Sequence, residues 1–175
     1  MELSANLKEK GFQLCDVEPS DFALYYGISR ACYEGYVNAF FGGWDEARQI
    51  EMNRDAFQSE RNETCFQKIM LHGSTVGFFA FDVQDDKIDG VMIQILEPAR
   101  NQGLGSFYLN HLVLLSDRQQ KPVFLRVFMT NPAQELYQRF GFAVYDKTIS
   151  HYLMRYDPRS DVRRNKSCRS APVTA

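Results

Sequence analysis

The sequence predicts an α+β domain, a mixed and mostly antiparallel sheet of six to seven strands flanked by helices, in the order βααβββαβαββ. Three observations carry that prediction. Apolar runs over 64–71, 76–83 and 88–96 are interrupted only by His72-Gly73-Ser74 and Gln84-Asp85-Asp86-Lys87, and connections this short force antiparallel hairpins. A glycine-bearing turn at 100–105 then opens a helical stripe, and a new apolar run starts at 123, which makes a strand-helix-strand crossover. Ahead of the hairpins, aromatic residues recur at helical spacing and supply a layer for the other face of the sheet.

Taken in order, 12–17 alternates weakly and stops at Glu18-Pro19, where Ser20 or Asp21 can cap a helix. That helix spans 22–41, with Phe22, Tyr25, Tyr26, Ser29, Cys32, Tyr33, Tyr36, Val37 and Phe40 at helical spacing, and ends at Gly42-Gly43. Asp45 is placed to cap a second, mostly polar helix running to about residue 58. After the three hairpin strands, Leu104, Phe107, Tyr108, Leu112 and Leu115 form the apolar stripe of a helix that ends in the polar stretch 116–120. A strand at 123–129, a short helix at 132–140 with Pro132 in its first turn, and strands at 142–148 and 152–156 complete the domain.

A chain of 175 residues is enough for one domain with a proper core, here 1–157, followed by a basic, Ser-rich tail at 158–175 with almost no apolar residue to anchor it. The formal net charge of −2 gives no field that would draw nucleic acid or an anionic membrane. The first twelve residues lack an apolar signal core, and no apolar stretch approaches the roughly 20 residues of a membrane span, so the expected location is cytoplasmic, with no membrane partner. Cys15, Cys32, Cys65 and Cys168 are scattered and read as reduced thiols. His72, His111 and His151 stand apart from one another and from any Cys or carboxylate at ligand spacing, so no metal site is expected.

The stretch 93–110 organises the rest. A strand ends, a polar turn carries Arg100, Asn101 and Gln102, and Gly103 and Gly105 open a helix. The amides of Gly103, Leu104, Gly105 and Ser106 are available there, the helix dipole adds roughly half a positive charge, and Arg100 adds a cation that grips phosphate through two N–H bonds. A pyrophosphate is the natural guest. A Rossmann reading of the loop fits worse, because three antiparallel strands precede it and no acidic residue occupies the ribose position.

Arg100-Asn101-Gln102-Gly103-Leu104-Gly105 resembles the [RQ]-x-x-G-x-[GA] loop of the GNAT family of acyl-CoA-dependent N-acyltransferases. Downstream, 131–142 is similar to the family's second signature, N-P-A-x-x-L-Y-x-x-x-G-F, in the expected order and at the expected separation. The resemblance covers about 12–157 and has one departure: Glu97 holds the place of the family's proline and Pro98 follows, so the strand exit is expected to bend differently.

The resemblance implies acetyl-CoA as acyl donor, no metal, and a cytoplasmic N-acetyltransferase that moves the acetyl group to a primary amine of a small molecule, peptide or protein in a direct ternary complex. It also implies that strands 88–96 and 123–129 splay, with the pantetheine arm in the gap paired to the backbone of Ile93 and Ile95. Tyr137 is the implied general acid, since a phenol, at about 10, can hand a proton to a thiolate whose thiol sits at about 8.5. Asn131 would bond the cofactor or cap the following helix. The base is open among Asp82, Glu34, Asp45 and Glu46, with Gln94 able only to position a water. The acceptor is expected against Tyr33, Tyr36, Phe40, Phe41 and Trp44, and a homodimer is left open. The alternative is a non-catalytic acyl-CoA-binding module that senses or assembles.

Overall fold

The computed structural model describes residues 1–159. Along the chain run α1 (Ala5–Glu9), β1 (Phe12–Asp16), α2 (Phe22–Phe41), α3 (Glu46–Glu60), β2 (Cys65–Leu71), β3 (Ser74–Val83), β4 (Ile88–Ile95), α4 (Leu104–Gln119), β5 (Val123–Phe128), α5 (Ala133–Arg139), β6 (Ala143–Lys147) and β7 (His151–Tyr156). The strands form a single seven-stranded sheet in the order β1-β2-β3-β4-β5-β7-β6, antiparallel throughout except for the β4–β5 pair. The expected order of elements holds, with one helix added. That helix, α1, is five residues long and has no periodic stripe to betray it; Ser4 Oγ accepts from Leu7 N at 3.4 Å, and the helix tucks Leu7 into the core. Helix α3 runs two residues further than expected, to Glu60.

Each face of the sheet is covered by its own layer. On one, the α4 stripe of Leu104, Tyr108, Leu109 and Leu112 is fully buried against Phe79, Val123, Val127 and Met154. Burial of each such side chain is worth about 1.5–3 kcal/mol, which is what fixes α4 and the turn before it. On the other face Tyr25, Ile28 and Phe57 pack on Phe78, with the Tyr25 and Phe78 rings edge to face at 5.3 Å. Asp21 anchors the start of α2: its carboxylate does not cap the helix but accepts from Glu18 N at 2.8 Å and from Lys68 Nζ at 2.8 Å.

The feature that makes room for a ligand is a bulge. Ala80 pairs with Met92 and Asp82 with Asp89, so Gly90 and Val91 together face Phe81, and Gly90 takes φ +65°, which glycine reaches without strain. The bulge bends β4 away from its parallel neighbour. Strands β4 and β5 are therefore bridged only at Ile88 and Val123, where Ile88 N also donates to Pro122 O at 2.8 Å, and they part beyond that point. Leu96 N donates to Val76 O at 2.8 Å on the β3 side, so by alternation the backbone groups of Ile93 and Ile95 face the gap. Of the expected tail at 158–175, residues 160–175 lie outside the described residues.

Candidate functional site

Strand β4 leaves the sheet through a 3-10 turn, Glu97–Ala99, with Pro98 in its first turn. Asn101 (φ 59°) and Gly103 (φ 101°) then reverse the chain into α4. No side chain caps this end of α4, so the N–H groups of its first turn are left for a ligand, at the positive end of a 16-residue helix. Gly105 has a second role. A Cβ there would lie 2.9 Å from Leu136 Cδ2, so glycine lets α5 close against the start of α4.

A cleft of about 590 Å³ opens between these helix ends and the edge of β4. Of the eleven residues singled out in the sequence, ten line it: Ile93, Ile95, Arg100, Asn101, Gly103, Leu104, Gly105, Ser106, Asn131 and Tyr137. Gln102 does not. Its side chain folds back to donate to Pro98 O at 3.0 Å, and its carbonyl accepts from Lys10 Nζ at 3.0 Å, so it braces the turn. Arg100 reaches inward: its Nε donates to Ile95 O at 2.8 Å and its Nη2 lies 4.0 Å from Cys32 Sγ. Asn131 Oδ1 accepts from Ala133 N at 2.9 Å, which caps α5 while leaving the residue on the cleft wall.

Tyr137 lines the cleft together with Tyr33 and Tyr36. Burial, with a small contribution from Tyr36, pushes the Tyr137 phenol up to about 12, and burial raises Tyr33 further still. Of the expected aromatic wall, Tyr33 and Tyr36 line the cleft, and Tyr36 and Phe40 stack on Phe128 at 4.8 and 5.9 Å. Phe41 points to solvent, and Trp44 packs on Tyr26 beneath Arg30, away from the cleft.

The carboxylates named from sequence as possible bases are occupied elsewhere. Glu34 and Glu46 both bind Arg30 at 3.0 Å, Asp45 caps α3 through Arg48 N at 3.1 Å, and Asp82 holds the Thr64 hydroxyl at 2.9 Å. None lines the cleft. The carboxylate that sequence reasoning missed is Glu60, at the end of a helix that reads as polar throughout. Its Oε1 accepts from Tyr25 Oη at 3.0 Å, its Oε2 is buried without a partner, and burial pushes it up to about 8. On the neighbouring strand Gln94 is 2% exposed with its Oε1 likewise unpartnered.

Among the described residues no cluster of three or more His, Cys, Asp or Glu is arranged to hold a metal ion, and no helix is long and apolar enough to cross a membrane. The family model described as acetyltransferase (GNAT) family matches residues 29–142. The PaiA N-acetyltransferase of Thermoplasma acidophilum, solved in complex with coenzyme A, superposes with a TM-score of 0.64 at 13% identity, over 83% of this chain and 98% of that one. The ribosomal-protein-S18-alanine N-acetyltransferase of Escherichia coli gives 0.59 at 20% identity, over 87% and 97%. An Arabidopsis thaliana protein in complex with the bisubstrate analogue CoA-Ac-MVNAL gives 0.57 at 18% identity, over 84% and 99%. In sequence, 90 residues are 32% identical to the cysteine-rich protein 2-binding protein of Mus musculus, a match over 50% of this chain that spans 11% of that relative's length.

Proposed function

The chain belongs to the acetyltransferase (GNAT) family, and from that premise we propose that it transfers the acetyl group of acetyl-CoA to a primary amine, with donor and acceptor bound together. One observation carries the reading: the uncapped end of α4, the gap-facing edge of β4 and the Tyr137 side chain all open on one cleft. A phosphate site alone would explain the first of these and leave the other two without a purpose.

The cleft suits coenzyme A on its own geometry. The first-turn amides of α4 and the Arg100 guanidinium match a pyrophosphate, and the gap-facing groups of Ile93 and Ile95 match the amides of a pantetheine arm laid along β4 as a substitute strand. The bound thioester supplies an activated acetyl group and a thiol leaving group. The chain supplies placement and protons. A β4 N–H at the gap is a donor for the acetyl oxygen as charge gathers on it. Tyr137, its phenol pushed up to about 12 by burial, carries its proton at neutral pH, and its place on the wall suits protonation of the departing sulfur. Tyr33 and Tyr36 form the aromatic side on which an amine-bearing acceptor would lie. The free thiols of Cys15, Cys32 and Cys65 fit a cytoplasmic setting.

The test is acetyl-CoA turnover, read as free thiol released, against a panel of alkylamines, diamines and peptides with free N-termini. Acetylated amine formed in step with thiol is the expected result. A protein whose melting temperature rises with CoA but which acetylates no member of the panel would instead be an acyl-CoA-binding module.

A further inference from the structure

Behind the cleft lies a buried polar group that the transfer scheme has not used. Glu60 ends α3 with one oxygen on Tyr25 Oη at 3.0 Å and the other buried and unpartnered. The phenol that holds it is 2% exposed, lies 3.8 Å from Met92 Sδ, and is fixed by the rings of Phe57, Phe66 and Phe78 at 5.1, 5.9 and 5.3 Å. A buried carboxylate kept for stability would be matched with a cation, because an unpaired charge there costs several kcal/mol. The charged group that acts on Glu60 is instead another carboxylate, Glu63, itself near Asp82 and Asp89. Two helical turns along α2 from Tyr25 stands Tyr33, a wall of the cleft, close enough to feel the Glu60 charge. Gln94, two residues beyond Met92 on the same face of β4, brings a second buried oxygen without a donor. Gln94 Oε1 is an acceptor, and so is Glu60 Oε2 once the carboxyl ionises, so what the ionised site lacks is a proton donor.

We infer that Glu60 is the final acceptor of the proton shed by the attacking ammonium, reached through water held at Tyr33 and Gln94. The inference rests on the acetyl-transfer reading above. The acceptor's N–H bond breaks and its electron pair stays on nitrogen to attack; the proton passes along the relay, an O–H bond forms on Glu60 Oε2, and the carboxyl later returns the proton to solvent. An ammonium entering the cleft would bring a positive charge toward this carboxylate, so the binding of substrate itself favours the ionised base.

The experiment compares wild type, Glu60→Gln and Tyr25→Phe in two readouts: the pH dependence of kcat/KM with the best amine, and the ¹³C NMR titration of the Glu60 carboxyl in the free protein. Gln keeps an oxygen for the Tyr25 hydroxyl, so the CoA-induced rise in melting temperature should survive. In Glu60→Gln, kcat/KM should fall by on the order of 10²- to 10⁴-fold and lose the limb that rises toward about pH 8. Tyr25→Phe should move that limb to higher pH, since its hydrogen bond favours the carboxylate; a merely structural role would leave the limb in place. Wild-type rate and limb in Glu60→Gln, or a Glu60 carboxyl that titrates in the ordinary carboxylate range, would overturn the assignment and leave acetyl transfer standing. A wild-type protein that binds CoA and transfers to no amine would overturn both.

Discussion

Arg100 Nε donates to the carbonyl of Ile95 at 2.8 Å, which ties the cation of the phosphate loop to the last residue of the strand that edges the gap. The bond holds the guanidinium by its Nε, with Nη2 4.0 Å from Cys32 Sγ, so the charge is aimed before a ligand arrives. Preorganisation of this kind suits Arg better than Lys, whose three donors radiate from one nitrogen and offer no planar fork to hold the strand at one edge and a phosphate at the other. Arg100→Lys is therefore expected to weaken CoA binding by roughly tenfold, and Arg100→Ala by about 1.5–3 kcal/mol, the range of a charge-assisted hydrogen bond. Calorimetric titration at two salt concentrations measures this. Equal affinities for Arg and Lys would show that Arg100 acts as a point charge only.

Stability should fall as pH rises from about 4.5 to about 8, and the sign follows from the buried carboxyls. Burial raises Glu60 from 4.5 to about 8 and, with Asp82 and Asp89 adding repulsion, Glu63 from 4.5 to about 7. Each therefore contributes stability that is complete below about pH 4.5 and lost as pH climbs through its folded-state value. Asp21 works the other way: burial pushes it up, but Lys68 and the Glu18 N–H outweigh burial and hold it below 3.8, so its contribution is lost in acid. Urea midpoints should peak in the mildly acidic range and decline toward pH 9. The decline should amount to about 2–4 kcal/mol, kept below the full linkage value because Glu60 and Glu63 retain some solvent contact. Glu60→Gln should flatten most of that slope. A midpoint that stays level from pH 5 to pH 9 would show that both carboxyls ionise freely in the fold.

What sequence could and could not give divides along the range of the interactions. The helix α2, the hairpin strands and the glycine turn all rest on local pattern, and the structure keeps them: 22–41 is the helix expected, and the strands shift by one or two residues, β3 starting at Ser74 and not at 76. The bulge had only a faint local sign, the lone Gly90 inside a strand pattern, and its effect on β5 depends on pairing across the sheet. The proton-handling groups were not legible because their partners are distant. Glu34 and Glu46 look free until Arg30 is seen to bind both, and Glu60 looks solvated until Tyr25, 35 residues earlier, is seen lying over it.

Tyr108 offers a stabilising substitution away from the cleft. The ring is fully buried on α4 and stacks on Phe79 at 3.8 Å, yet its hydroxyl is buried without a partner. Phe keeps the stacking and removes an oxygen whose desolvation nothing offsets, so Tyr108→Phe should stabilise by about 1 kcal/mol. In a chain of this length that is about 2–4 °C in Tm. A drop of similar size would mean that the hydroxyl is satisfied by a buried water.

Tyr137→Phe separates the enzyme from a binding module. The hydroxyl makes no contact that orders α5, and the ring's packing near Phe142 at 6.3 Å is kept by Phe, so stability and the CoA-induced rise in Tm should hardly change. Turnover should change. The departing thiolate would lose its proton donor, and the rate with the best amine should fall by on the order of 10² to 10⁴. The loss should be largest at high pH, where solvent offers fewer protons, because a phenol held at about 12 still carries its own there. If water reaches the sulfur through the cleft, the loss shrinks toward the lower bound and added buffer acid restores part of it. A Phe variant with wild-type turnover from pH 6 to pH 10 would leave Tyr137 as a wall of the cleft and would assign the departing thiolate to solvent.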